Sequence, residues 1–150
     1  MSGSDSIVIA GAAQAGGRAA QAMRGAGFEG RILLIGEETW LPYERPPLSK
    51  ALIVEGGGHE TVHLHDPDYY ESHRIETLLG APVESIDLAA RTVRVDGGDI
   101  AYDRLLLTTG ARVRRLPVPG ADLPGVHYLR TLDDSFAIRD SLVPGARVAV

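Results

Sequence analysis

The chain has 150 residues, 44% of them hydrophobic, a formal net charge of −5 and no cysteine. That is enough apolar material for a real core, and the acidic balance, with no long Lys/Arg run, argues against nucleic acid or an anionic membrane as a partner. Without cysteine, no disulfide framework, thiolate metal site or cysteine nucleophile exists within it. No stretch approaches the roughly 18 to 20 apolar residues of a membrane span. Residues 1–6 lack the basic start of a signal peptide, so the sequence reads as a soluble, cytoplasmic protein whose partners are small molecules or proteins.

Residues 7–10, Ile-Val-Ile-Ala, form a short apolar run without alternation, the pattern of a strand covered on both faces in a parallel sheet. The turn Gly11-Ala12-Ala13-Gln14-Ala15-Gly16 leads into a helix predicted over 17–24 and ended by Gly25 and Gly27. Residues 31–35 make the next apolar strand, and Glu37 follows. This is the layout of a dinucleotide-binding βαβ unit. Its helix N-terminus offers unpaired N–H groups and a positive dipole to a pyrophosphate, and an acid after the second strand accepts from a ribose hydroxyl. Glu37 stands 21 residues after Gly16, against an expected offset of about 20. The second glycine of the pattern, where the backbone comes closest to the pyrophosphate, is Ala13 here. Short Gly/Ala-rich turns also serve close helix–sheet packing with no nucleotide, and this stretch alone admits both readings.

Residues 40–50 read as an extended loop stiffened by Pro46 and Pro47, with Arg45 pushed out of helical geometry and Ser49 placed as a helix cap. The loop either runs along a bound cofactor and presents Arg45 and Lys50 to it, or faces water. His59, His63, His65 and His73 lack a clear set of metal ligands and read as plain surface histidines. Asp66-Pro67 caps a short helix running to Arg74. Short strands are predicted over 75–79 and 83–86, split by Gly80-Ala81-Pro82, then a hairpin of 91–95 and 100–102 around Asp96-Gly97-Gly98. Residues 105–107 are a buried strand ending in Thr108-Thr109-Gly110. A Thr-Gly pair there lies where open α/β sheets hold ligands, or it is a simple glycine turn. Arg112, Arg114 and Arg115 make a basic cluster, read as a solvated face or as a dock for an acidic protein, ahead of a proline-rich connection. Thr131 with Asp134 reads as a cap opening a helix to about Leu142. Residues 144–150 read as a turn and the opening of a strand, so the chain is expected to be a portion of a longer protein.

Four strings, Gly-Ala-Ala-Gln-Ala-Gly (11–16), Leu-Pro-Tyr-Glu-Arg-Pro-Pro-Leu-Ser-Lys (41–50), Tyr-Asp-Arg-Leu-Leu-Leu-Thr-Thr-Gly-Ala (102–111) and Tyr-Leu-Arg-Thr-Leu-Asp-Asp (128–134), together resemble one family. It is the FAD-dependent ferredoxin reductases, of the putidaredoxin reductase kind, within the pyridine-nucleotide-disulphide oxidoreductases. The resemblance implies an α/β, Rossmann-like FAD/NAD(P)-binding fold with a central parallel sheet and an added β-hairpin or meander. It implies FAD as cofactor, NAD(P)H as co-substrate bound mainly beyond residue 150, and a ferredoxin-type iron–sulfur protein as partner, serving a P450 or dioxygenase. By the same resemblance Gly11 belongs to the fingerprint, Ala13, Gln14, Ala15 and Gly16 face the pyrophosphate, Glu37 the adenosine ribose and Val83 the adenine region. Arg45, Lys50, Thr109, Gly110 and Arg130 face other parts of the cofactor, Lys50 tuning the flavin. Residues 1–112 would be the first segment of the FAD domain, 113–143 a connecting segment and helix, and 144–150 the start of an NAD domain. The competing reading, from Ala13 and the chain's end, is a nucleotide-binding or interaction module without turnover. In disulphide reductases of this architecture the loop after the ribose-binding acid carries a redox cysteine. Here it has none, so electrons would leave the flavin directly to a protein acceptor.

Overall fold

A computed structural model describes residues 5–150. In chain order it contains β1 (Ser6–Ala10), α1 (Gln14–Gly25), β2 (Arg31–Ile35), short 3₁₀ helices at Pro46–Ser49 and His59–Val62, α2 (Pro67–Ser72), β3 (Ile75–Leu78), β4 (Val83–Asp87), β5 (Thr92–Val95), β6 (Gly98–Ala101), β7 (Arg104–Leu107) and α3 (Leu132–Ser141). Contacts divide the chain into two units, the described part of residues 1–43 together with 63–110, and residues 44–62 together with 111–150.

The first unit is built on a parallel sheet in the order β3-β2-β1-β7, the α/β, Rossmann-like arrangement expected. Ile7 and Ile9 of β1 and Ile32 and Leu34 of β2 pack with Ala20 of α1, Phe28, Tyr70 and Ile75 on one face. Val8, Leu33 and Ile35 point to the other face, onto Ala81, Val93, Val95 and Tyr102. Two covered faces explain why these strands carry apolar side chains without alternation. The second cover is the antiparallel sheet β4-β5-β6. Its β5–β6 connection is the two-residue turn Asp96-Gly97, both with positive φ, 49° and 71°, the geometry that matches strand twist in a tight hairpin.

Several boundaries differ from the sequence expectation. Helix α1 opens at Gln14 rather than at 17, because the Gly17 N–H already reaches the Ala13 carbonyl at 2.9 Å. Arg45 is helical (φ −81°, ψ −34°), not extended. The Leu48 N–H bonds its carbonyl at 3.1 Å, and that turn outweighs the pre-proline bias. Ser49 ends this 3₁₀ helix and caps nothing after it. Helix α2 stops at Ser72, and Arg74 has φ 54°. Strand β7 is not buried. Among the described strands it pairs with β1 alone, and Leu107 is 57% exposed. Residues 146–150 form no strand in this structure. The cap at Thr131 is a complete capping box with Asp134.

In the second unit Leu48, Leu52, Val62 and Leu132 are buried with Ser135, whose hydroxyl donates to the Leu48 carbonyl at 2.8 Å. No helix among the described residues is long and apolar enough to cross a membrane.

Around α2 the aromatic rings of His65, Tyr69 and His73 stack in series, with centroids 3.8 and 3.9 Å apart. Burial pushes the Tyr70 phenol up to about 12. Burial, then the charges of Arg18 and His73, lower His65 below its ordinary value. A depressed folded value means that, as pH falls below about 6.5, the unfolded chain takes up a proton that the folded one refuses, so stability is lost on acidification. His65→Gln is therefore expected to show a smaller drop in urea midpoint between pH 7.5 and 5.5 than the wild-type chain. Parallel drops in the two proteins would rule out His65 as a contributor.

Candidate functional site

The registers of the parallel sheet bring Ala10, Ile35, Leu78 and Leu107 to one level. Everything that follows these strands therefore gathers at their carboxyl edge, where open α/β sheets hold ligands. The Gly11 N–H donates to the Ile35 carbonyl at 2.8 Å, Gly36 to Leu78 at 2.9 Å and Thr108 to Ala10 at 2.8 Å. Gly11, the start of α1, Glu37, Thr109 and Gly110 are thus brought together by backbone geometry.

The turn at Gly11 cannot be made by another residue. Its φ is +120°, and a Cβ there would lie 2.2 Å from the Thr108 carbonyl oxygen. A Cβ on Gly16 would lie 2.0 Å from the Gly11 carbonyl oxygen, so the first turn of α1 is folded directly against the end of β1. Ala13 stands at the N-cap with φ −97° and ψ −166°, no side-chain cap, and no acid in the first turn. The amides of Ala13, Gln14, Ala15 and Gly16 consequently have no acceptor within the helix. A row of free N–H groups at a positive helix end, with no carboxylate competing, fits a pyrophosphate. The alanine at the second glycine place is unstrained, since its backbone is extended. It keeps the N–H that matters.

Two acids follow β2. Glu38 is engaged, accepting from the Tyr43 hydroxyl at 2.5 Å. Glu37 is exposed, and no described residue pairs with its carboxylate. Of the two, Glu37 is the one free to bind a ribose. Val83 opens β4, half-buried against the second core cluster. The chain just before it is tied to the site, since the Ala81 N–H donates to the Gly36 carbonyl at 2.8 Å.

Three residues of this edge carry roles the sequence did not flag. The Thr108 hydroxyl donates to the Gly11 carbonyl at 2.8 Å and locks the turn, while its neighbour Thr109 is exposed. A Cβ on Gly36 would meet the Ala12 Cβ at 2.6 Å, and one on Gly17 would meet Pro42 and Leu64 at 2.7 and 2.8 Å. A glycine directly before the acid was a readable signal. The partners of Gly17 and Thr108 are distant in sequence and gave none.

Arg45, Lys50 and Arg130 belong to the second unit. Arg45 donates from Nη1 to the Arg130 carbonyl. Lys50 is exposed at the end of the first 3₁₀ helix, its N–H bonded to the Pro47 carbonyl at 2.9 Å. The Arg130 Nε is buried with no acceptor among the described residues, an orphan donor that fits an acceptor supplied by a ligand.

Comparison with known proteins gives a consistent set of relatives. Residues 5–150 match the family described as pyridine nucleotide-disulphide oxidoreductase. The chain is 47% identical over 146 residues to rhodocoxin reductase of Rhodococcus erythropolis, covering 97% of this chain and 34% of that protein. It is 44% identical over 147 residues to the ferredoxin–NAD(+) reductase component of the biphenyl dioxygenase system of Paraburkholderia xenovorans (strain LB400), covering 97% and 36%. Among solved structures, the ferredoxin reductase for the CYP199A2 system from Rhodopseudomonas palustris superimposes with a TM-score of 0.86 at 43% identity, over 91% of this chain and 34% of that one. The chain thus spans about a third of the length of the relatives it matches.

Proposed function

This chain belongs to the pyridine nucleotide-disulphide oxidoreductase family, and on that premise we propose that it is the FAD-binding portion of an NAD(P)H-dependent ferredoxin reductase. The observation that carries this reading is the start of α1, where unpaired amides of residues 13–16 meet a turn that only glycine can make at Gly11. Residues 13–16 would hold the pyrophosphate, Glu37 the ribose, and Val83 the adenine end. Thr109, Gly110, Arg45, Lys50 and Arg130 would hold other parts of FAD. Bound FAD supplies the capacity to take a hydride from a nicotinamide and release electrons to a protein acceptor.

The chain has no cysteine, so these residues offer no thiol relay. That supports an iron–sulfur protein of the ferredoxin type as the electron acceptor, in a P450 or dioxygenase system. The names of the biphenyl dioxygenase component and of the ferredoxin reductase for the CYP199A2 system point the same way. Lys50 would act by its positive charge near the flavin, and the protein would work in the cytoplasm. Residues 1–112 would be the first FAD segment, 113–143 a connection and 144–150 the opening of an NAD-binding domain.

The test is a flavin-fluorescence titration of apoprotein. Glu37→Ala removes a charged acceptor worth about 1.5 to 3 kcal/mol, so the dissociation constant for FAD is expected to rise about tenfold or more, with an unchanged circular-dichroism spectrum. An unchanged constant would remove Glu37 from the site, and no titratable FAD binding by the wild-type protein would defeat the proposal as a whole.

A further inference from the structure

Asp134 does more than cap a helix. In a capping box the acid at the third helical position takes the N–H of the N-cap residue alone. Here one carboxylate oxygen, Oδ2, accepts both the Thr131 N–H at 2.8 Å and the Arg130 N–H at 2.9 Å. The Thr131 hydroxyl returns the contact by accepting from the Asp134 N–H at 3.1 Å. On the other side of the same residue, the Arg45 guanidinium donates to the Arg130 carbonyl. Arg130 therefore has its main chain held at the N–H by a carboxylate that accepts and at the carbonyl by a guanidinium that donates. Its own side chain is half-buried, with Nε buried and lacking an acceptor among the described residues. Buried donors normally have partners, and a residue held this tightly loses little further freedom when it meets an acceptor.

We propose that Asp134 is the positioning residue of Arg130, fixing through the doubled backbone contact the direction in which the guanidinium meets a hydrogen-bond acceptor on the cofactor. This rests on the reading of Arg130 as a cofactor residue. Arg45 is the counterpart at the carbonyl, which gives its guanidinium a task on the protein as well.

The experiment is a double-mutant cycle on the full protein, stripped to apoprotein and titrated with FAD by flavin fluorescence, with melting temperatures of the apoproteins measured alongside. Arg130→Met keeps the backbone N–H and removes only the guanidinium. It is expected to raise the dissociation constant about tenfold. Asp134→Ala is expected to raise it about fivefold when Arg130 is present and by less than about twofold in the Arg130→Met background, because its effect passes through Arg130. Asp134→Asn keeps an acceptor oxygen and is expected to fall between wild type and Asp134→Ala, which tests the proposal should the alanine variant fold poorly. The fall in melting temperature from losing the cap is expected to be the same in both backgrounds. An equal increase in dissociation constant in both backgrounds would reduce Asp134 to a structural cap and overturn the proposal. If Arg130→Met leaves FAD binding unchanged while Glu37→Ala still weakens it, Arg130 has nothing to be positioned for. The inference then falls while the FAD reading stands.

Discussion

Gly16→Ala is expected to lower the melting temperature by about 10 °C and to abolish FAD binding at any concentration that Glu37→Ala still tolerates. The new Cβ would lie 2.0 Å from the Gly11 carbonyl oxygen, 2.9 Å from the Thr108 Oγ1 and 3.0 Å from the Leu34 Cδ1. The nearest of these is backbone, which cannot swing aside as a side chain can. Relief requires α1 to move away from the ends of β1 and β7. Overpacking of a tight contact costs about 1 to 3 kcal/mol. This case lies at the upper end, and each kcal/mol is worth about 2 to 4 °C for a chain of this size. The same movement carries the amides of residues 13–16 away from the place where a pyrophosphate would sit, so stability and binding are lost together. Gly25→Ala is the matched control. It sits in the last turn of the same helix, where an added Cβ would meet no described atom within 4 Å beyond its chain neighbours and the helix's own backbone, so alanine is expected to stabilise by about 0.5 to 1 kcal/mol through lower backbone entropy. Thermal melts followed by circular dichroism check both. A Gly16→Ala protein that melts with wild type would mean the helix start is not packed as described.

What the sequence disclosed depended on whether the cause was local. The strand at β1, the glycine turn and the acid after β2 were readable because apolar runs, a positive-φ glycine and a fixed offset are all short-range signals. The hairpin turn at Asp96-Gly97 and the box of Thr131 and Asp134 were readable for the same reason. Arg45 departs from the extended geometry expected of it because the bias against helical geometry before proline is local, whereas the turn that overrides it is held by a bond from Leu48 and by burial of that side chain. Thr109 is visible in sequence as part of a Thr-Gly pair, and Thr108 is not. The contact that fixes the turn joins Thr108 to Gly11, 97 residues apart. Three leucines in a row read as a buried strand, and only the sheet order places β7 at an edge. The association of residues 44–62 with 111–150 had no sequence signature at all. Its contacts include the Ser135 hydroxyl on Leu48, Arg45 on Arg130 and Arg139 on the Gly57 carbonyl, beside the buried Leu48, Leu52, Val62 and Leu132.

Arg24→Met is expected to cost about 3 kcal/mol, although the residue lies at the opposite end of α1 from the site. Its Nε donates to the His73 carbonyl at 2.8 Å and its Nη2 to the Arg74 carbonyl at 2.6 Å, while Nη1 serves both the Phe28 carbonyl at 2.5 Å and the Gly30 carbonyl at 2.8 Å. One guanidinium thus ties the end of α1 to the turn before β2 and to the corner between α2 and β3, with its cation 5.7 Å from the Phe28 ring centre. Burial, then the nearby Arg74 charge, lower its pKa from the ordinary arginine value, and arginine begins so high that it is a cation near neutral pH all the same. Hydrogen bonds to a charged group are each worth about 1.5 to 3 kcal/mol when buried. These are partly exposed and water replaces some of them, so the sum is discounted to about 3 kcal/mol. Lysine cannot substitute, because a single ammonium lacks the planar fork that spans carbonyls on separate segments. Arg24→Lys is expected to recover less than half of the loss. Urea unfolding of the three proteins gives the comparison, with FAD affinity measured well below the melting transition. Because the amides at the other end of α1 keep their geometry while the fold holds, affinity is expected to stay within about twofold of wild type there. A lysine variant as stable as wild type would show that charge alone, and not the fork, holds this corner together.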